Sequence, residues 1–99
     1  TWRGVSRQIY SFMIDEINEA KFAAHGLTAA QVAQILDNSF LVVRNRSGRR
    51  AELLVLGRDY GGQCIAVPVG PTHESDVWRP VTAWPCKRSE LARLRREGI

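Results

Sequence analysis

The sequence predicts one α+β domain over residues 1–99, with helices packed on one face of an antiparallel β-sheet. The 99 residues are enough for one hydrophobic core and too few for two. An apolar fraction of 44% and a charged fraction of 24% are ordinary for a globular domain and exclude a disordered chain. Strand and helix patterns follow in the order β-α-α-β-β-β-β-α, which predicts a second sheet face free for a ligand. Residues 1–6 are expected to be disordered or to derive from a tag.

The first third of the chain predicts one strand and two helices. Residues 9–14 are rich in β-branched and aromatic side chains, which favour a strand. Asp15 suits the N-cap of a first helix, and Gly26 suits its end. Thr28 and Gln31 form a capping box that begins the second helix. The positions expected to share one face are Ile17, Ala20, Lys21 and Ala24 in the first helix and Val32, Ile35 and Leu36 in the second.

The rest of the chain predicts an antiparallel meander and a closing helix. The expected strands cover residues 40–45, 50–58, 63–69 and 77–84. Pro68 and Pro80 cannot donate ladder hydrogen bonds, so the last hairpin is expected near a sheet edge or with a bulge. Residues 89–97 predict a short basic helix that buries only Leu91 and Leu94.

Positive charge is concentrated in two segments. The net charge is +4, from 14 basic and 10 acidic residues. The clustered cations are Arg44, Arg46, Arg49 and Arg50 in the first segment and Lys87, Arg88, Arg93, Arg95 and Arg96 in the second. Such clusters attract polyanions or an acidic protein, and a guanidinium group suits phosphate oxygens. They are equally compatible with two solvated basic surfaces.

The cysteines and histidines do not predict a metal site. Cys64 and Cys86 form no Cys-x-x-Cys motif, and His25 and His73 lie far apart in the sequence. Both thiols are expected to be reduced and structural, which in turn predicts a cytoplasmic location. No apolar run reaches the roughly twenty residues of a membrane span, and no secretory segment opens the chain, so no membrane association is expected.

Three motifs occur in order between Asp15 and Glu97. The first consists of Asp15-Glu16, Ala20-Lys21, His25-Gly26-Leu27-Thr28 and Ile35-Leu36-Asp37-Asn38. The second is Gly57-Arg58 followed by Gly61-Gly62, and the third is Arg79-Pro80-Val81-Thr82-Ala83 leading into Lys87-Arg88-Ser89-Glu90. In these motifs the chain resembles the BrnT family of toxins, which belongs to the wider group of RelE-like ribonuclease toxins. Ala24 and Trp84 stand where that family usually has Lys and Arg.

The resemblance implies a RelE-like fold and a toxin that cleaves RNA. It also implies a cognate antitoxin, usually with a ribbon-helix-helix DNA-binding part, that binds and silences the toxin. The pair then represses its own promoter. Two other classes stay open on the residues alone, a non-catalytic module that binds nucleic acid and a protein-interaction partner with a basic surface.

The candidate catalytic residues are Arg58, Arg79 and His25. The closest approach to a metal-binding carboxylate cluster is Asp15 with Glu16 and Glu19, which also suits the positive end of a helix. Cleavage without metal or cofactor, through a 2′,3′-cyclic phosphate, is therefore expected. The two arginines are expected to hold the phosphate, or else to be ordinary surface residues paired with Asp59 or Glu74. His25 suits a general acid or base, and equally a structural place at a helix end.

The expected RNA-binding residues are Arg44, Arg46, Arg49, Arg50, Lys87, Arg88 and Trp84. Trp78 and Trp84 are six residues apart, so on a regular strand their side chains would point to the same face, whereas a bulge at Pro80 would change this; the sequence leaves the two possibilities open. Tryptophans there can stack on the bases of single-stranded RNA, or lie in the core beneath the helices. His73 lies in a polar loop, where it is either a general acid or simply solvated.

Overall fold

A computed structural model describes residues 9–45 and 51–99 of the chain and shows an α+β fold with a mixed sheet. Within these ranges the strands are β1 (Ser11–Phe12), β2 (Phe40–Arg44), β3 (Leu53–Arg58), β4 (Cys64–Pro71), β5 (Val77–Pro80) and β6 (Trp84–Pro85). The helices are α1 (Glu16–Ala23), α2 (Ala29–Gln34) and α3 (Arg88–Arg96), and a turn of 3-10 helix at Ile35–Asp37 extends α2. The predicted α+β class is confirmed.

The strand order in the sheet is β1-β5-β4-β3-β2, and β6 pairs with β4 beyond the end of β5. Strands β2 to β5 are antiparallel neighbours, as predicted, but β1 runs parallel to β5. The backbone N–H of Met13 donates to the carbonyl oxygen of Trp78 at 2.8 Å. A purely antiparallel sheet was therefore the wrong prediction. The reason is that most of the chain separates β1 from β5, so no hairpin turn dictates their relative direction.

The strand predicted over residues 77–84 is interrupted. It divides into β5 and β6, which pair with opposite ends of β4 along the same edge. Pro68 lies between these two pairings, and it has no N–H to offer the ladder. Its carbonyl oxygen instead accepts a hydrogen bond from the backbone N–H of Val81 at 2.8 Å.

Helices α1 and α2 cover the first face of the sheet. The core on this face includes Phe22, Val32, Ile35, Val55, Val67 and Trp78. In α1 the inward residues are Asn18 and Phe22, whereas Ile17 is 67% exposed, so the predicted stripe of Ile17, Ala20, Lys21 and Ala24 was wrong. Asn18 can be buried because its side-chain amide donates to the carbonyl oxygen of Pro80 at 2.8 Å, while its carbonyl group accepts from the Asp15 backbone.

Helix α3 packs on the second face of the sheet, so the prediction of helices on one face was also wrong. Leu94 is buried there, with Leu91 and Ile99 partly buried beside it. The strand residues that meet them are Leu41, Leu56 and Ala66. Strand β4 is buried on both faces from Cys64 to Val69, which is typical of a strand covered from two sides. The uninterrupted apolar runs in β2 and β3 were the sequence signal for this double cover.

Cys64 and Cys86 form a disulfide bond, with their Cα atoms 5.2 Å apart. The prediction of two reduced thiols was wrong. Pairing of β6 with β4 brings the two residues together, and the backbone N–H of Cys86 donates to the carbonyl oxygen of Cys64 at 2.9 Å. The expectation of a cytoplasmic location loses its basis in reduced thiols, because disulfides persist mainly in oxidising compartments. None of the helices in the described ranges is long and apolar enough to cross a membrane.

Candidate functional site

A groove of about 1030 Å³ lies on the second face of the sheet, beside the first turns of α3. Its floor includes Val43, Leu54 and Pro68, which lie side by side across β2, β3 and β4. Strand β6 and α3 form one wall, and the ends of β2 and β3 form another. The groove is the part of this face that α3 leaves uncovered.

The polar lining of the groove is mainly basic. Its polar and charged residues are His25, Arg44, Asn45, Thr82, Lys87, Ser89, Glu90 and Arg93. Three of these are permanent cations and one is a carboxylate. The apolar floor lowers the local polarity, which strengthens the attraction of the cations for an anion.

Glu90 organises the wall of the groove. One of its carboxylate oxygens accepts from the indole N–H of Trp84 at 3.0 Å and from the backbone N–H of Lys87 at 2.8 Å. The Lys87 ammonium lies 5.5 Å from the centre of the Trp84 ring, within range of a cation–π interaction. Glu90 thus joins β6 to the first turn of α3 and fixes the orientation of a half-buried tryptophan. The Lys-x-x-Glu spacing was its only signal in the sequence.

His25 lies in the turn between α1 and α2 and lines the groove. Its backbone N–H donates to the carbonyl oxygen of Phe22 at 2.9 Å, at the C-terminal end of α1. Gly26 follows with φ of 75°, a conformation that favours glycine and ends the helix. The helix-end position and access to the groove, which the sequence presented as alternatives, therefore coexist in one residue.

Arg79 does not line the groove. Its guanidinium group forms an ion pair with Asp15, with 3.2 Å between Nη1 and Oδ2, and Nη2 lies 3.3 Å from the Met13 sulfur. Both side chains of the ion pair are about half exposed, at 50% and 45%. The expected alternative partner, Glu74, is not the acid it contacts here.

Arg58 does not line the groove either. It is the last residue of β3, where it lies opposite Cys64 of β4. Its Nη1 donates to the carbonyl oxygen of Gly62 at 2.8 Å, and Nη2 donates to that of Ile99 at 3.5 Å. These contacts hold the Gly61-Gly62 turn and the end of α3. The structure therefore does not bring Arg58 and Arg79 together at the groove.

The remaining predicted residues divide into three groups. Arg44, Lys87 and Trp84 line the groove, as does His25, whereas Arg88 is exposed on α3 outside it. Arg46, Arg49 and Arg50 lie outside the described residues. Arg93 lines the groove although the sequence placed it only among the general basic cluster.

Trp78 and Trp84 lie on different faces of the sheet, which decides between the two possibilities that the sequence left open. Trp78 is 2% exposed in the core beneath α1 and α2, whereas Trp84 packs at the edge of the second core. The break at residues 81–83 interrupts the regular pleat that would have placed both side chains on one face. His73 is exposed in its loop and does not line the groove.

Within residues 9–45 and 51–99, no cluster of three or more His, Cys, Asp or Glu side chains could hold a metal ion. Comparison of the chain with protein-family models, with curated proteins and with solved structures finds no match.

Proposed function

We propose that the groove binds single-stranded RNA and that the protein is a metal-independent endoribonuclease toxin. The observation that carries the proposal is the meeting of cations, an aromatic ring and a histidine in one groove. Lys87 is the N-cap of α3, and Arg93 lies on that helix, which also carries the Glu90 carboxylate that orients Trp84. Cations bind the phosphate backbone, and an exposed aromatic ring stacks on an unpaired base.

His25 is the proposed proton-transfer residue. In the reaction, the ribose 2′-OH loses its proton to a base and attacks the adjacent phosphorus, while the 5′-oxygen leaves and takes up a proton. The products are a 2′,3′-cyclic phosphate and a 5′-hydroxyl end. Lys87 and Arg93 stabilise the negative charge that develops on the phosphorane oxygens, which is usually the largest contribution to such a reaction. Arg58 and Arg79 take no direct part in this version, because both are engaged elsewhere.

The RelE-like topology and the antitoxin belong to the same proposal. A basic groove between a sheet face and a C-terminal helix is in keeping with a RelE-like toxin. Lys87 and Arg93 supply positive charge beside Trp84, which stands where the resembling family usually has Arg. An antitoxin with a ribbon-helix-helix part would silence the protein by covering this groove. Co-purification with the product of an adjacent gene, and growth arrest when the chain is expressed alone, test this part.

The proposed site of action is the cytoplasm, where reductants act on the disulfide. Binding and cleavage are therefore to be measured on both the oxidised protein and the protein treated with a dithiol. The proposal expects RNA binding in both forms, with the higher affinity in the oxidised form that the structure describes.

Salt titration of binding to a fluorescent single-stranded RNA tests the groove. We expect affinity to fall steeply with salt, and the logarithmic slope to drop by about 0.7 when Lys87→Ala or Arg93→Ala removes one phosphate contact. Arg88→Ala is the matched control, because Arg88 lies on the same helix outside the groove. Equal effects of all three substitutions would show non-specific attraction to a basic helix and would contradict the proposed site.

Cleavage is tested in EDTA with a labelled RNA, followed by analysis of the ends. We expect activity to persist, and His25→Ala to lower the rate by a factor on the order of a hundred or more while RNA affinity is kept. His73→Ala is the control, because that histidine is exposed away from the groove. Loss of activity in EDTA would exclude the metal-independent reaction.

A second candidate is a nucleic-acid-binding module without catalysis. The observation that favours it is the engagement of Arg58 and Arg79 away from the groove, which leaves fewer cations for the reacting phosphate. Salt-dependent RNA binding with no cleavage by the wild-type protein would select this candidate. Cleavage that depends on His25 would exclude it.

A further inference from the structure

A second cleft, of about 500 Å³, lies between α3 and the edge strand β2. Its lining comprises Leu41, Val43, Arg93, Arg96 and Glu97. Val43 and Arg93 also line the groove described above. The two depressions therefore adjoin at these two residues, and together they are called the channel along α3.

We propose that this second cleft is a separate phosphate-binding subsite, at which Arg96 holds the backbone of the same RNA strand that stacks on Trp84. The inference rests on the proposed RNA-binding function and adds a place and a direction for the strand. Arg93 and Arg96 are three residues apart on a helix, so they lie on neighbouring positions of one side. Arg93 at the shared border then contacts the strand between the two sites.

The charges of the second cleft favour an anion. Among the described residues, the lining of the second cleft contains two cations, Arg93 and Arg96, and one acidic residue, Glu97, so its balance is positive. The planar guanidinium group of arginine matches the spacing of two phosphate oxygens. Leu41 and Val43, which are buried members of the second core, form the apolar bottom of the cleft.

The length of the channel sets the number of nucleotides. From Lys87 to Arg96 the helix advances about 13 Å at 1.5 Å per residue. At about 3.4 Å per stacked nucleotide, this distance corresponds to about four nucleotides. A dinucleotide that occupies the groove at Trp84 is thus too short to reach Arg96, whereas a hexanucleotide spans both sites.

The two sites can be separated by oligonucleotide length. The probes are fluorescently labelled oligouridylates of two to eight nucleotides, with a 2′-O-methyl group on each ribose to prevent cleavage, and the readout is anisotropy with the oxidised full chain. We expect affinity to rise up to about five or six nucleotides and then level off. Arg96→Ala is expected to weaken the octamer about fivefold, to leave the dimer unchanged and to shorten the length at which affinity levels off.

Arg95→Ala is the matched control, because Arg95 is exposed on the adjacent position of α3 and lines neither cleft. Arg96→Lys should recover part of the affinity, since it keeps the charge without the two-pronged contact. Circular dichroism of each variant establishes that α3 is retained.

The possible failures are distinguishable. If the octamer loses affinity in Lys87→Ala but not in Arg96→Ala, the second subsite is wrong and the proposed function stands. If Arg95→Ala and Arg96→Ala weaken the octamer equally, the effect is general charge and the subsite is again wrong. If no oligonucleotide binds, while an acidic peptide such as oligoglutamate binds at Arg96, the channel serves a protein partner and both proposals fail.

Discussion

The two faces of the sheet are closed in different ways. Helices α1 and α2 cover the first face with a continuous apolar core that contains Phe22 and Trp78. On the second face α3 contributes little more than Leu94 and Leu91, and a disulfide fastens the segment that leads into it. The uncovered remainder of that face carries the groove and its cations.

The difference shows where this small chain can place a binding surface. The strands are apolar on both faces, so both need cover, but nine residues of α3 are too few to cover a whole face. The exposed remainder is lined by polar side chains that helix α3 and the strand ends supply. A surface left open by incomplete burial thus becomes available for a ligand, and the fully covered face provides the stability.

The largest expected effect lies in the first core. Phe22→Ala should lower the free energy of unfolding by about 3–5 kcal/mol, because a fully buried aromatic side chain leaves a cavity. Ile17→Ala, on the exposed side of the same helix, should change it by less than about 0.5 kcal/mol. Urea denaturation measures both. A comparable loss for the two variants would mean that α1 packs through a different side.

Removal of the disulfide is expected to weaken the second face. In the oxidised protein it closes a loop with a sequence separation of 22 residues. Reduction of the bond, or the double substitution Cys64→Ala with Cys86→Ala, should lower the free energy of unfolding by about 3 kcal/mol, because the unfolded chain regains conformational entropy. Denaturation with and without a dithiol measures the loss, and the double variant must not respond to the dithiol.

The structural effect of reducing the disulfide should be confined to the second face of the sheet. Trp84 fluorescence and RNA affinity are expected to respond to reduction, because the bond lies between Trp84 and the start of α3. The Trp78 environment in the first core should stay intact. Equal changes at both tryptophans would contradict the idea that the faces are held independently.

A smaller loss of stability is expected at Gly57, where β3 lies close to Ile35 on the first face. A Cβ atom at Gly57 would lie 2.9 Å from the Cβ of Ile35, so Gly57→Ala should cost about 1–3 kcal/mol through overpacking. Gly70→Ala is the matched control in the next strand, since a Cβ there meets nothing within 4 Å. Thermal denaturation of the two variants decides. A neutral Gly57→Ala would show that the 3-10 turn is not seated against β3.

The smallest effect concerns a tyrosine that belongs to neither core. The Tyr60 hydroxyl donates to the Asp37 carboxylate at 2.5 Å, and this hydrogen bond raises the pKa of Tyr60 above its ordinary value. Because the folded pKa is raised, its stabilising contribution is complete below about pH 10 and is lost as pH rises through the folded pKa. Absorbance titration near 295 nm, in a Tyr10→Phe background, measures it.

Asp37→Asn should return the Tyr60 titration toward its ordinary range. RNA affinity at neutral pH should not change, since neither residue lines the groove. An unchanged titration curve would show that the hydrogen bond does not form in solution.

Local elements were predictable from the sequence, and their assembly was less so. The caps at Asp15 and Thr28 and the helix end at Gly26 occur as predicted, because caps depend on residues three or four positions apart. The strands beginning near Phe40 and Cys64 also occur close to their predicted positions. These features need no information about distant parts of the chain.

Apart from the side of α1 that faces the core, the errors concern contacts between distant segments. The parallel pairing of β1 with β5, the side on which α3 packs and the joining of Cys64 with Cys86 depend on the register of the whole sheet. The same holds for the site. Lys87 and Trp84 could be proposed from a charge cluster and a motif, but Glu90 and its two hydrogen bonds appear only after β6 has paired with β4.

The two cores differ in how much of the chain must be synthesised before all their residues are present. The first core has all its members once Ala83 has been made, whereas the second requires Leu94. The pairing of β6 with β4 places Cys86 beside Cys64. The wall of the groove that β6 and α3 form begins at Trp84, so the groove can be complete only after every residue of the first core has been synthesised.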